Sequence, residues 1–167
     1  MLPCQDSPGV KAPYTAKVKV VAPLKAVLGA ILTKESTEDG FNIFEYEMPQ
    51  KLPAYLISLF AGNVTYKKIS ERCGVWAEAC QIEECAKEFE DTEKYLKTAE
   101  EYIGMEYPLK EYNMVMLPPS FPYGGMENPV TTFLTPTLLV GDKSQTHVIY
   151  HEISHSWTGN LVTNSSW

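Results

Sequence analysis

The sequence has few of the features that mark membrane, secreted or nucleic-acid-binding proteins. No apolar run reaches the roughly 18 residues that a transmembrane helix needs. The first residues carry neither the basic segment nor the apolar segment of a signal peptide. The chain has 14 basic and 21 acidic residues, and its formal net charge of −7 disfavours nucleic acid and anionic membrane surfaces as partners. We therefore expect a cytoplasmic globular protein that binds neither nucleic acid nor a membrane.

Cysteine is scarce and shows neither metal-binding nor disulfide spacing. The four residues are Cys4, Cys73, Cys80 and Cys85, and no two of them form a Cys-x-x-Cys pair. This usage is typical of free thiols in a reducing compartment.

Histidine is scarce as well, and all three copies lie close together at His147, His151 and His155. Residues 151–155 read H-E-x-x-H. Two histidines four positions apart lie on one face of a helix, where they can bind one Zn²⁺ while Glu152 takes a proton from a metal-bound water. The alternative is an ordinary helix with two surface histidines, because a motif this short also occurs by chance.

The flanks of the motif favour a helix. Asp142 or Ser144 is expected to cap its start, and Gly159 to stop it. Apolar residues recur on one side at Val148, Ile149, Ile153 and Trp157. His147 lies about 12 Å along the axis from His155, at 1.5 Å per residue, which is too far for both to bind one ion. We interpret His147 as a surface residue.

The rest of the sequence divides into two regions of different periodicity. Alternating or short apolar runs predict strands at residues 14–20, 24–32, 41–48, 55–61 and 64–69, with a polar turn at 34–40. Apolar residues at helical spacing then predict one amphipathic helix over residues 78–103, which Gly104 ends, and a further strand follows at 113–117. This order predicts an α+β fold with a boundary after residue 64.

The predicted helix contains an acidic cluster, which consists of Glu83, Glu84, Glu88, Glu90, Asp91 and Glu93. We interpret it as the solvated side of the helix. A paired-carboxylate site is the alternative.

A second motif, G-G-M-E-N, occupies residues 124–128. Paired glycines let another backbone approach closely, so an edge strand here can accept an extended peptide through main-chain hydrogen bonds. The Glu127 carboxylate would then lie beside the ammonium group of the first peptide residue, which favours exopeptidase action. The alternative is a Gly-Gly turn with an exposed glutamate.

Together the two motifs resemble the zinc aminopeptidases of the gluzincin clan, and within them the leukotriene A-4 hydrolase and aminopeptidase B family. The resemblance is most specific in residues 117–129, 135–144 and 151–163. Residues 3–8, with Lys11 and Tyr14, resemble the last part of the family's amino-terminal β domain. The resemblance thus implies the end of a β-sheet domain at residues 1–64, followed by the first part of a thermolysin-like zinc-protease domain at residues 65–167.

The resemblance also implies the roles of individual residues. His151 and His155 would bind Zn²⁺, Glu152 would be the general base, and the substrate-binding segment would be Pro122, Tyr123, Gly124, Gly125, Met126 and Glu127. The family's third zinc ligand is a glutamate that would lie beyond Trp167, as would its transition-state tyrosine.

The function that the resemblance implies is that of a zinc-dependent aminopeptidase. Its substrates would be peptides with a free amino terminus, and a lipid epoxide would be a second substrate. The chain itself is expected to be a fragment without catalytic activity, in which the apolar residues Ile149, Ile153 and Trp157 face water. The alternative is a truncated, non-catalytic isoform that acts as a peptide-binding or interaction module.

Overall fold

The computed structural model describes residues 2–167. Its strands are β1 (Lys11–Val21), β2 (Lys25–Leu28), β3 (Ile31–Glu38), β4 (Phe41–Pro53), β5 (Leu59–Gly62), β6 (Thr65–Lys68), β7 (Cys73–Ala77), β8 (Tyr112–Met116), β9 (Gly125–Met126) and β10 (Thr131–Leu134). Its α-helices are α1 (Ile82–Glu88), α2 (Thr92–Ile103) and α3 (His147–His155), and short 3-10 helices occupy Ala54–Leu56 and Pro136–Leu138. The predicted α+β class is confirmed. Within these described residues, no helix is both long and apolar enough to cross a membrane.

The first part of the chain forms two antiparallel sheets. One has the strand order β1-β4-β3 and the other pairs β2 with β5. Along β1, half-buried Val18 and Val20 alternate with exposed Lys17 and Lys19, so the strand predicted from this alternation is confirmed. The side chains between the sheets form a core around Phe44, Met48 and Leu56.

Three predictions in this part are wrong. Residues 24–32 do not form one strand, because Gly29 and Ala30 separate β2 from β3. The predicted polar turn is also too long, because β3 continues through most of it. Only Asp39 and Gly40 form that turn, both with positive φ (50° and 78°). The polar residues of β3 remain exposed, since backbone pairing with β4 along one edge holds the strand without a buried side-chain face.

The buried strand predicted at residues 55–61 is also wrong. After Pro53 the chain turns through the 3-10 helix, which buries Leu56, and only β5 is extended. Leu59 on β5 is exposed. Of the apolar residues in this run, Leu56 is fully buried and Tyr55 packs against the core only in part, a pattern that periodicity does not reveal.

The second part is organised around a five-stranded sheet with the order β6-β7-β8-β10-β9. Its central strands β7, β8 and β10 are parallel, and β6 and β9 pair antiparallel at the two edges. The strands predicted at 64–69 and 113–117 correspond to β6 and β8, whereas β7 was not predicted. The sheet packs against the helices through a core that includes Val75, Met114, Ile149 and Ile153.

The single helix predicted over residues 78–103 is two helices. Helix α1 ends at Glu88 and α2 begins at Thr92, whose hydroxyl donates to Phe89 O at 2.6 Å. Thr92 and Phe89 are fully buried, so the break lies inside the core and the apolar spacing continues across it. Gly104 ends α2 in the left-handed conformation, with φ 75°, as predicted.

The acidic cluster is only partly a solvated surface. Glu83, Glu84 and Glu90 are exposed. Glu88, however, is 3% exposed and accepts hydrogen bonds from the backbone N–H groups of Gly141 and Lys143 at 3.1 and 2.9 Å. The interpretation as a wholly solvated side is therefore wrong, because Glu88 fastens the loop that leads into α3.

Candidate metal and peptide-binding site

Helix α3 carries the H-E-x-x-H motif, but its predicted cap is wrong. The helix begins at His147 after Thr146, and no side chain caps its start. Asp142 instead accepts a hydrogen bond from the Ser144 N–H at 2.9 Å, which closes a local turn before the helix. The Thr146 hydroxyl donates to Lys143 O at 2.8 Å, so this turn leads directly into the helix.

The apolar side of α3 is buried. Ile149 and Ile153 have no exposed surface and Trp157 is 4% exposed, so the expectation that these residues face water is wrong. The parallel strands and α2 already provide the partners that the side chains need. With that side fixed in the core, the helix must present the histidines on its other side.

The two motif histidines converge at their ring nitrogens. His151 Nε2 and His155 Nε2 are 3.2 Å apart, and His155 Nδ1 lies 3.1 Å from Thr158 O. A proton on Nδ1 satisfies this carbonyl and leaves the Nε2 lone pair free for a metal. His147 is exposed, with Nδ1 3.4 Å from Ser144 O, and the structure does not bring it to the other two.

Glu152 is buried beside the histidine pair. Glu152 is 5% exposed, and its Oε2 atom has no hydrogen-bond partner. Burial, followed by the negative charge of Glu127, raises the pKa of Glu152 to about 7, and His155 acts in the opposite direction. A carboxyl group with a pKa near neutral pH is suited to general base catalysis.

The G-G-M-E-N segment forms the edge of the main sheet. Strand β9 pairs with β10, with Met126 opposite Phe133 and Gly125 opposite Leu134. Its other edge has no strand partner within residues 2–167. Pro122, Tyr123 and Gly124 are exposed just before it, in the same open region.

Gly125 is where the two motifs meet. A Cβ atom at this position would lie 2.4 Å from Glu152 Oε1, closer than non-bonded atoms approach. The missing side chain therefore lets the Glu152 carboxylate approach the edge strand directly. At Gly124 the nearest atom, Val148 Cγ1, would be 3.7 Å away, so that position is not crowded.

The Glu127 carboxylate lies close to Glu152 and His155. Ligand atoms of Glu127, Glu152 and His155 all lie within 4.8 Å of one another. Sequence reasoning missed two residues that hold this arrangement. They are Thr158, which contacts His155, and Asn160, whose Nδ2 donates to Glu127 O at 2.9 Å. The only sequence signal was their position just after the H-E-x-x-H motif.

The residues present fit a zinc ion. Two ligand atoms that each lie about 2.0–2.1 Å from a tetrahedral ion are about 3.3 Å apart, which matches the 3.2 Å between the two Nε2 atoms. The unpartnered Glu152 Oε2 is the second indication, because a buried carboxylate oxygen without a partner is costly unless another group meets it. Two imidazoles with carboxylates nearby are a donor set that zinc prefers.

Comparison with known families supports the organisation of the chain. The description "Peptidase M1 N-terminal domain" matches residues 1–56, and "Peptidase family M1 domain" matches residues 87–167. Together they cover more than half of the chain, and the second contains the whole candidate site. The expected order of a β domain followed by the start of the catalytic domain is confirmed. The boundary after residue 64 lies between the two matches and stays a prediction.

Individual relatives agree with the family. The chain is 46% identical to leukotriene A-4 hydrolase of Xenopus laevis, over 100% of its own length and 28% of that protein. It is 46% identical to aminopeptidase B of Rattus norvegicus, over 99% of its length and 25% of that protein. The structure of yeast LTA4 hydrolase in complex with bestatin superposes with a TM-score of 0.92 at 42% identity, over 99% of this chain and 25% of that one. The chain thus spans about a quarter of the length of these relatives.

Proposed function

Because the chain belongs to peptidase family M1, we propose that the protein is a zinc-dependent aminopeptidase. The observation that carries the proposal is the convergence of the pair His151 and His155 with Glu152 and Glu127 beside an open strand edge. We propose His151 and His155 as zinc ligands, Glu152 as the general base and Glu127 as the group that binds the peptide's amino terminus.

The proposed roles follow from the chemistry of each group. Zinc, when bound, supplies a Lewis acid for the scissile carbonyl and lowers the pKa of water. Glu152 accepts the proton of the attacking water and later transfers it to the leaving amine. The buried position of its carboxylate, facing β9, keeps this proton transfer close to the substrate.

Substrate binding would use the segment of Pro122, Tyr123, Gly124, Gly125, Met126 and Glu127. The free edge of β9 pairs with an extended peptide through backbone hydrogen bonds. Glu127 then attracts the positively charged amino terminus through a charge-assisted contact. A peptide whose amino group is blocked loses this contact, which selects substrates with a free amino terminus.

Two further proposals concern the whole protein. Hydrolysis of a lipid epoxide is a second activity, supported by the identity to the leukotriene A-4 hydrolase of Xenopus laevis. In that reaction zinc would act as a Lewis acid on the epoxide oxygen. A cytoplasmic location is supported by the free state of all four cysteines, two of them exposed, because exposed free thiols are typical of reducing compartments.

The proposal is tested on the product of the longest reading frame that contains these 167 residues. We expect stoichiometric zinc, hydrolysis of an amino-acid arylamide, and little hydrolysis of its N-acetylated form. A glutamate encoded beyond Trp167 as third ligand would agree with this. A zinc-free product that cleaves neither compound would contradict the proposal and favour the alternative, a non-catalytic peptide-binding or interaction module.

A further inference from the structure

Asn160 joins three parts of the molecule that are distant in sequence. Its backbone N–H donates to His155 O at 2.9 Å. Its side-chain Nδ2 donates to Glu127 O, also at 2.9 Å. Lys11 Nζ donates to Asn160 O at 3.3 Å. One residue therefore contacts the end of helix α3, the residue that follows β9, and the first residue of β1.

An asparagine side chain at position 160 costs free energy. The residue is 4% exposed, and its Oδ1 has no hydrogen-bond partner. A buried amide oxygen without a partner costs free energy, whereas an apolar side chain of similar volume would fill the space without that cost. The amide does, however, donate the hydrogen bond from Nδ2 to the Glu127 carbonyl oxygen.

We propose that Asn160 is a positioning residue that sets the distance between the Glu127 carboxylate and the pair His151 and His155. The inference rests on the proposed aminopeptidase function. In that function, the carboxylate and the histidines must be separated by the span from a peptide's amino nitrogen to its first carbonyl. Asn160 binds the backbone carbonyls of the residues at both ends of this span, His155 through its N–H and Glu127 through its Nδ2. A single buried residue thereby fixes the two backbones relative to each other and so determines the register of the bound peptide.

Lys11 extends this anchor to the first sheet. Its ammonium group donates to the carbonyls of Asn160 and Leu161, the latter at 3.0 Å. The first part of the chain also packs tightly against the segment after Glu127. A Cβ atom at Gly29, which lies between β2 and β3, would be only 3.0 Å from Pro129 O. The amino-terminal β structure therefore contacts both segments that Asn160 connects, and Lys11 is expected to support the same register with a smaller effect.

The test uses the product of the longest reading frame that contains this sequence. The variants are Asn160→Ala and Asn160→Asp, which remove the donor to Glu127 O. Asn164→Ala is the matched control, because Asn164 is exposed and bonds only Ser166 O nearby. Three properties are measured: kcat and KM on leucine arylamide and its des-amino analogue, bound zinc, and affinity of the zinc-free protein for L-leucine amide.

We expect both Asn160 variants to lose about 10- to 100-fold in kcat/KM on the free-amine substrate, because a misplaced Glu127 loses its charge-assisted contact with the amino group. The loss should lie mainly in KM, and the preference over the des-amino analogue should fall with it. Affinity of the zinc-free protein for L-leucine amide should fall by a similar factor, while zinc content and circular dichroism stay as in Asn164→Ala. This pattern separates positioning of Glu127 from a general loss of structure.

The outcomes against the inference are distinct. An inactive wild-type protein that does not bind L-leucine amide would overturn the proposed function and the inference together. An active wild-type protein whose Asn160 variants behave like Asn164→Ala would overturn the inference alone. If both Asn160 variants fail to fold, Lys11→Met decides, with Lys17→Met on the same strand as its control. A raised KM with unchanged zinc in Lys11→Met supports the inference, and an unchanged KM overturns it.

Discussion

Glu152 combines two properties that are rarely found together in a structural carboxylate. It is buried, and one of its oxygens has no hydrogen-bond partner. A group that served only stability would be paired or exposed. In an active site the same arrangement leaves an acceptor free for the proton of a bound water, which is the role we propose for it.

We predict that Glu152→Gln in the full reading-frame product keeps zinc and loses hydrolysis. The amide has the same shape but cannot accept a proton, and general base catalysis contributes about 10²- to 10⁴-fold. Metal analysis beside an arylamide assay checks this, with the exposed Glu84→Gln as control. Loss of zinc, or turnover close to that of the control, would contradict the role.

We predict a different outcome for Glu127→Gln. A hydrogen bond to a charged group is worth about 1.5–3 kcal/mol, so kcat/KM on a peptide with a free amino terminus should fall about tenfold to a hundredfold. Zinc content should be unchanged, because the histidine pair remains. The comparison is the ratio of activity on free and amino-blocked peptides, which should approach one. A ratio equal to that of the exposed Glu106→Gln control would show that Glu127 does not bind the amino group.

At the scale of elements, Arg72 fastens helix α2 to the start of strand β7. Its guanidinium donates to both oxygens of Glu100 at 2.7 and 3.1 Å and to Glu93 at 3.0 Å. The hydrogen bond from Arg72 lowers the pKa of Glu100 below its usual 4.5. Burial opposes ionisation of Glu93, but hydrogen bonds from Ser70 and Arg72 outweigh it, and its pKa is lowered as well.

Because these pKa values are lowered, the ion pairs of Arg72 with Glu93 and Glu100 weaken in acid. A carboxyl group whose pKa is lower in the folded than in the unfolded state stabilises the fold above its unfolded pKa, and this contribution is lost as pH falls through the folded value. We predict that Arg72→Met lowers the free energy of unfolding by about 2–4 kcal/mol at neutral pH, and that this difference shrinks below about pH 4.5. Urea unfolding at several pH values measures it, with Lys67→Met, which breaks an exposed pair, as control. A difference independent of pH would contradict the prediction.

Local features of the elements could be predicted from the sequence, whereas contacts between residues distant in the sequence could not. The spacing of His151 and His155 is local, so helical geometry alone brings their rings together. Glu88, the last residue of α1, binds the backbone of Gly141 and Lys143, which lie more than fifty positions away. Asn160 likewise contacts Glu127 across 33 positions. Local periodicity contains no information about such contacts, so sequence reasoning missed both.

At the scale of the whole molecule, the 167 residues are well packed in some places and open in others. The apolar side of helix α3 is covered, as the burial of Ile149 and Ile153 establishes. Strand β9 has an unpaired edge within residues 2–167. Val21 and Leu59 are each more than half exposed (57% and 56%). Unpaired strand edges and exposed apolar residues both promote association between chains.

The last prediction concerns these 167 residues expressed alone. A catalytic zinc normally has three protein ligands and a water, and the resemblance assigns the third ligand to a glutamate beyond Trp167. We therefore expect weak zinc binding that dialysis removes, no measurable arylamide hydrolysis, and aggregation through the open edge and exposed apolar residues. Metal analysis after dialysis, an arylamide assay and light scattering measure the three properties. Tight stoichiometric zinc with turnover would require the third ligand to lie within this chain, and Glu127, whose carboxylate already lies within 4.8 Å of a ring nitrogen of His155, would be the first residue to replace.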